Sequence, residues 1–145
     1  MTLRVWTARM SYRGDDRLDV TRKSATADGL VWAPSWSALM PALEARRKVS
    51  ELRKIAGGDS EVAGWAADEA AMLLRESWAT YADAYRAEMR RSYLRERDAW
   101  ARLLAQESAT LVCFCDLVAS PGQCHRILRA GIRAKCAAVY EGERP

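Results

Sequence analysis

Hydrophobic and polar positions follow two different rhythms along this chain. Leu3 to Met10 carries Leu3, Val5, Trp6 and Thr7, residue types that suit a pleated, partly buried surface, and predicts a first strand. Ser11 to Asp16 follows as a polar turn in which Gly14 is free to take positive φ. Leu18-Asp19-Val20-Thr21 alternates and predicts a second, short strand. Arg22-Lys23-Ser24 leads into a small-residue loop from Ala25 to Gly29, which Trp32-Ala33-Pro34-Ser35 ends.

The rhythm then becomes helical. Pro41 suits a first helical position, so a helix is expected from Pro41 to Ile55, stopped by Gly57-Gly58. Asp59-Ser60 is placed to cap a second helix from Glu61 to about Arg75. Ser77 is placed to cap a third, in which Trp78, Tyr81, Tyr85 and Met89 recur on one face. Tyr93 to Leu104 continues helically, with Leu94, Trp100, Leu103 and Leu104 as its apolar side. Glu107-Ser108 breaks that pattern. Leu111 to Cys115 predicts a short apolar strand, Pro121 to Cys136 a last helix, Ala137 to Tyr140 a closing strand and Glu141 to Pro145 a polar tail. Strands at both ends with helices between them predict an α/β fold. The expectation is one domain: a small, mostly parallel sheet with flanking helices and a central helical insertion over residues 41–104.

Composition narrows the function classes. The chain has 145 residues, half of them hydrophobic, which is enough for one buried core. A net charge of +4 permits an acidic or phosphate-bearing partner. No apolar run approaches the ~20 residues of a membrane span, so no membrane association is expected. The N-terminal residues lack the apolar core of a signal peptide, which points to a cytoplasmic protein whose four cysteines are free thiols.

Reactive side chains concentrate in Leu111 to Arg126, LVCFCDLVASPGQCHR, which holds three of those cysteines and the single histidine. Ser120-Pro121-Gly122-Gln123 fits a capping box, with Ser120 as N-cap and Gln123 three residues on. Cys124 then falls in the first helical turn, where free N–H groups and the helix dipole favour thiolate. His125 and Arg126 add positive charge, and the same donors suit a phosphate, sulfate or carboxylate. Cys115 ends its strand at the edge where ligands sit in open α/β sheets, opposite Cys124. Cys124 also shares a stripe with Ile127, Leu128 and Ile132, so a purely structural role stands beside the reactive one. Cys113 and Cys136 read as core. A metal site built from Cys113, Cys115, Cys124 and His125 is disfavoured by spacing, since adjacent helical residues diverge; neither metal nor cofactor is expected.

This stretch resembles the domain-of-unknown-function 488 family, whose C-terminal signature is similar to LVCFC followed by CHR. The first strand, the Ser-Tyr-Arg turn, Leu18-Asp19-Val20-Thr21-Arg22, the helix with Tyr81, Tyr85 and Met89, and Trp100 to Leu104 also look like that family. Thr21 separates a Val20 and Arg22 that are adjacent in the family pattern. The loop Asp116 to Gln123 is longer than usual, and residues 48–74 look like an insertion. The resemblance implies a small cytosolic α/β domain with a site at the cysteine–histidine–arginine element, and implies no particular reaction.

The expected site therefore has Cys124 as nucleophile or redox thiolate, His125 as acid–base group, Arg126 as anion holder and Cys115 as resolving thiol. Tyr12, Arg13, Asp19 and Arg22 border the same crevice if their strands are parallel neighbours of Leu111–Cys115, and join Ser120 and Gln123 as ligand-binding residues. Arg22 and Arg126 would make a pair of anion clamps, with an Asp19–arginine ion pair as the alternative. The ligand expected is a small anion or a nucleotide. A nucleic-acid module is the second reading, from Arg86, Arg90, Arg91, Arg95, Arg97 and Arg102 near Trp78, Tyr81 and Tyr85. Interleaved Glu88, Glu96 and Asp98 favour an ordinary solvated helix face over it. An interaction protein with a structural cysteine cluster is the third.

Overall fold

A strand covered on both faces needs apolar residues on both, and two segments of this chain supply them. A computed structural model of the chain describes residues 2–22, 24, 25, 27–58, 61–113 and 138–145. Strand β1 (Arg4–Arg9) and strand β3 (Ser108–Cys113) lie at the centre of a four-stranded sheet, flanked by β2 (Arg17–Asp19) and β4 (Val139–Arg144) in the order β2-β3-β1-β4. All three pairings are parallel. Residues 109–113 of β3 are buried without interruption, and in β1 Val5, Thr7 and Ala8 are buried with Trp6 half-buried between them, the pattern of strands covered on both faces. The α/β class and the mostly parallel sheet expected from the sequence are what the fold shows.

Among the described residues, four helices lie between β2 and β3: α1 (Ala27–Trp32), α2 (Trp36–Ala56), α3 (Ala63–Arg95) and α4 (Arg97–Leu104). Four elements differ from expectation. The loop expected over Ala25 to Gly29 is largely helix α1. Its Gly29 lies so close to β2 that an added Cβ would sit 1.8 Å from the Asp19 carbonyl oxygen, so glycine here serves close packing rather than a turn. Helix α2 starts at Trp36, with Pro41 inside it. Pro41 lies only about one turn in and forfeits a single bond, to the Ser37 carbonyl, which a long helix tolerates. Ser77 caps nothing; it sits within α3, where its hydroxyl donates to the Leu74 carbonyl at 3.3 Å. The polar tail is likewise strand β4, whose alternate residues are exposed, as an edge strand requires. At Gly142, φ of 120° accompanies a shift in the β1–β4 register, a bulge that glycine makes cheap. The proposed cap at Asp59-Ser60 and the helix expected from Pro121 to Cys136 lie outside the described residues.

The chain divides into two compact units, one built from the segment up to Ser35 with that from Tyr85 onward, the other Trp36–Ala84. In the first, aromatic residues from three helices meet. Trp32 and Trp100 stack edge to face with centroids 4.0 Å apart, and Tyr93 packs on Trp100 at 5.4 Å. Their polar atoms are satisfied. Trp100 Nε1 donates to Ser92 Oγ (3.0 Å), Ser92 Oγ to the Val31 carbonyl (3.2 Å) and Tyr85 OH to the Trp32 carbonyl (2.7 Å). Glu88 accepts from the Ser35 N–H at 2.9 Å and from its hydroxyl. These bonds bind the exit of α1 to the C-terminal part of α3. The second unit is the helix pair formed by α2 and the first part of α3.

Candidate functional site

Because every described strand runs the same way, one edge of the sheet collects all the strand carboxyl ends. β2 ends there at Asp19, alongside Val112 of β3. Asp19 is buried, and its carboxylate is fully engaged. Oδ1 accepts the Thr21 N–H at 2.9 Å and the Thr21 hydroxyl at 2.8 Å, and Oδ2 accepts the Ser24 hydroxyl at 2.8 Å. The two hydroxyls are 2.6 Å apart. Burial pushes the Asp19 carboxyl up, but the Thr21 and Ser24 hydrogen bonds and the nearby Arg17 charge outweigh it and hold it below the usual carboxylate range. The result is a fixed anion that ties Asp19 to Thr21 and Ser24 just after β2.

Arg22 is half-buried and donates from Nε to the Pro34 carbonyl at 2.8 Å. The ion pair considered between Asp19 and an arginine is not made by Arg22 among the described residues. Instead one nitrogen anchors the side chain. Arg17 lies on the same sheet face as Asp19, two residues back, with Nη2 donating to the Met10 carbonyl at 3.3 Å. Its Nε is buried and has no hydrogen-bond partner among the described residues.

Tyr12 belongs to a different cluster. The chain between β1 and β2, residues 10–16, turns back along β3 and brings Asp16 beside the first half of that strand. Asp16 Oδ2 accepts the hydroxyls of Ser108 (2.7 Å) and Thr110 (2.9 Å), and its carbonyl accepts the Thr110 N–H at 2.7 Å. Tyr12 OH donates to Asp16 Oδ1 at 2.8 Å and accepts from Arg144 Nη1 at 2.6 Å. Arg144 reaches Asp16 Oδ2 at 3.2 Å and lies over the Trp6 ring, 4.5 Å from its centroid. Burial raises the Asp16 carboxyl, while the bonds from Ser108, Tyr12 and Thr110 and the Arg144 charge lower it further, for a net depression. Sequence reasoning missed Asp16, Arg17, Thr21, Ser24 and Arg144. The one available signal was Asp16 itself, an acid just before a strand; Arg144 stood in what read as a tail.

The fold thus brings Asp19 and Arg22 to the carboxyl edge and carries Tyr12 into the Asp16 cluster. Arg13 is exposed in the connecting turn. Cys115, Ser120, Gln123, Cys124, His125 and Arg126 lie outside the described residues, as does Cys136. Cys113, the last residue of β3, is buried. Among the described residues, no three His, Cys, Asp or Glu side chains come together as metal ligands. On the arginine-bearing helices Tyr81 and Tyr85 are buried, and Tyr85 spends its hydroxyl on Trp32. No helix among the described residues is long and apolar enough to cross a membrane.

These features define a parallel α/β protein with a polar, anchored turn at the carboxyl edge of its sheet. A family model described as DUF488-N3a, the active DUF488-N3 subclade, matches residues 62–135, just over half of the chain, and the chain belongs to the DUF488 family. No curated protein matches the chain, and no solved structure does.

Proposed function

We propose that this DUF488 protein binds a small anionic ligand, of the nucleotide or phosphate class, at the carboxyl edge of its sheet, and that Cys124 supplies thiol chemistry there. The observation that carries this reading is the strand order. β3 lies beside both β1 and β2 and parallel to them, so its carboxyl end, at Cys113, falls at the edge where Asp19 and Arg22 stand. In open parallel sheets that edge, between neighbouring strands, is where ligands are held. Asp19 does not meet the ligand, because its carboxylate is consumed by Thr21 and Ser24. It sets the turn that presents Arg22, whose guanidinium has one nitrogen anchored on Pro34 and donors to spare.

In this reading Arg22 and Arg126 clamp the anion, helped by the N–H groups that the Ser120–Gln123 cap leaves open. Cys124 is the nucleophile or redox thiolate, His125 its acid–base partner and Cys115 the thiol that resolves an oxidised Cys124. Arg13, exposed in the turn after β1, completes the ligand surface, while Tyr12 is held in the Asp16 cluster. The working compartment is a reducing cytoplasm, where free thiols persist. The description of the matching subclade as active agrees with a site that does chemistry.

Iodoacetamide labelling at neutral pH, with each cysteine quantified by mass spectrometry, tests this. Cys124 is expected to label fastest, and ATP or inorganic phosphate is expected to slow it. Slow, equal labelling of all four cysteines would overturn the thiolate assignment. Fast Cys124 labelling indifferent to both anions would overturn the ligand class.

A further inference from the structure

We infer that the helix pair Trp36–Ala84 is a self-association module, through which two copies of this chain pair α2 of one against α3 of the other. Large apolar side chains left in water concentrate in this unit. Trp36 and Met40 on α2 are 50% and 54% exposed, and Trp65 and Met72 on α3 are 59% and 40% exposed, with Leu43 beside the first pair. Trp36, Met40 and Leu43 step by four and then three, and Trp65 and Met72 are seven apart, so each set forms one stripe along its helix. The α2 stripe lies opposite Ala38, Ala45 and Val49, the buried side of that helix. It is therefore a second apolar face that packing among the described residues leaves exposed.

Charge identifies the occupant. Helix α2 carries five basic residues (Arg46, Arg47, Lys48, Arg53, Lys54) against two acidic ones, Glu44 and Glu51. Residues 63–84 of α3 carry four acidic residues against one basic, Arg75. The α2 acids are both taken by Arg47 of the same helix, at 2.7 Å each. Arg46, Lys48, Arg53 and Lys54, and Asp68, Glu69 and Glu76 opposite in sign, form no ion pair among the described residues. The two helices of one copy thus hold unspent complementary charge next to unspent apolar stripes. A two-fold axis lets a second copy satisfy both helices at once, basic stripe on acidic stripe twice over, as an isologous interface and a four-helix bundle. A partner of one charge sign would match only one of the two helices.

Sedimentation velocity and light scattering on the whole chain, in reducing buffer across the micromolar range, test this. The expected result is a reversible dimer. Replacing Arg53→Glu and Lys54→Glu together should weaken it about tenfold, as the loss of several exposed charge pairs acting together predicts. Adding Asp68→Lys and Glu69→Lys to the same chain should restore it. Circular dichroism keeps the readout separate from folding, since all four positions are exposed or half-exposed. A chain that stays monomeric throughout, or a dimer indifferent to both pairs of charge reversals, overturns the proposal.

Discussion

The Asp16 carboxylate and the Arg144 guanidinium meet at 3.2 Å although 128 residues separate them. Asp16 leads into β2, on one edge of the sheet, and Arg144 ends β4, on the other. Tyr12 lies between them, giving its proton to one and accepting from the other. The pair clasps the sheet across its central strands.

Removing the acid should therefore loosen the whole sheet. Asp16→Ala strands the hydroxyls of Ser108 and Thr110 and leaves Arg144 facing no anion. A loss of about 2–3 kcal/mol is expected from the unmade bonds. Urea unfolding of the variant measures it, and a loss under about half a kcal/mol would show that the network adds nothing.

Stability should fall in acid for a stated reason. Asp16 and Asp19 both have folded-state carboxyls depressed below the usual value of 3.8. Groups depressed in the folded state contribute stability above their unfolded value and lose it as pH falls through the folded one. Unfolding free energy is thus expected to hold steady above about pH 5 and to drop below about pH 4. The double variant Asp16→Asn, Asp19→Asn should flatten that drop, and an unchanged pH profile would refute the assignment.

Gly29→Ala tests the contact between α1 and β2. The new methyl would meet the Asp19 carbonyl oxygen, a backbone atom that cannot swing away. Overpacking of this kind costs about 1–3 kcal/mol. Because Asp19 shapes the turn before Arg22, the variant should also weaken ATP or phosphate binding, which isothermal calorimetry reads. A variant as stable as the parent would place the α1–β2 contact elsewhere.

Arg22→Gln addresses the ligand directly. It keeps a donor for the Pro34 carbonyl but removes the charge. Loss of one charge-assisted clamp corresponds to about 1.5–3 kcal/mol, or roughly tenfold to a hundredfold in affinity for inorganic phosphate or ATP. Equal affinity in variant and parent would remove Arg22 from the site.

Trp100→Ala probes the aromatic cluster that joins α1, α3 and α4. Trp100 is buried, packs on Trp32 and Tyr93, and holds Ser92 through its ring nitrogen. A cost of about 3–5 kcal/mol is expected, enough to lower the thermal midpoint by well over ten degrees. A small shift would mean that the cluster is peripheral to the core.

Local pattern by itself determined the elements whose character is local. Val5, Trp6 and Thr7 mark β1, and the apolar segment expected as a strand from Leu111 to Cys115 overlaps β3, which starts earlier, at Ser108, because strand preference acts over a few residues. The helical block from Pro41 to Leu104 was legible from its 3.6-residue period, and the α/β class followed from the order of elements. The place of Asp19 and Arg22 at the carboxyl end of β2 was legible, since they end and follow a short alternating segment. The tertiary structure alone decided which strands are neighbours, and so which polar ends share an edge. It set Gly29 in α1 against the Asp19 backbone, where there is no room for a side chain, and it drew Pro41 into α2. It also turned Tyr12 toward Asp16 and recruited Arg144 from an apparent tail. Those outcomes rest on contacts between residues far apart in the chain, and periodicity carries no record of them.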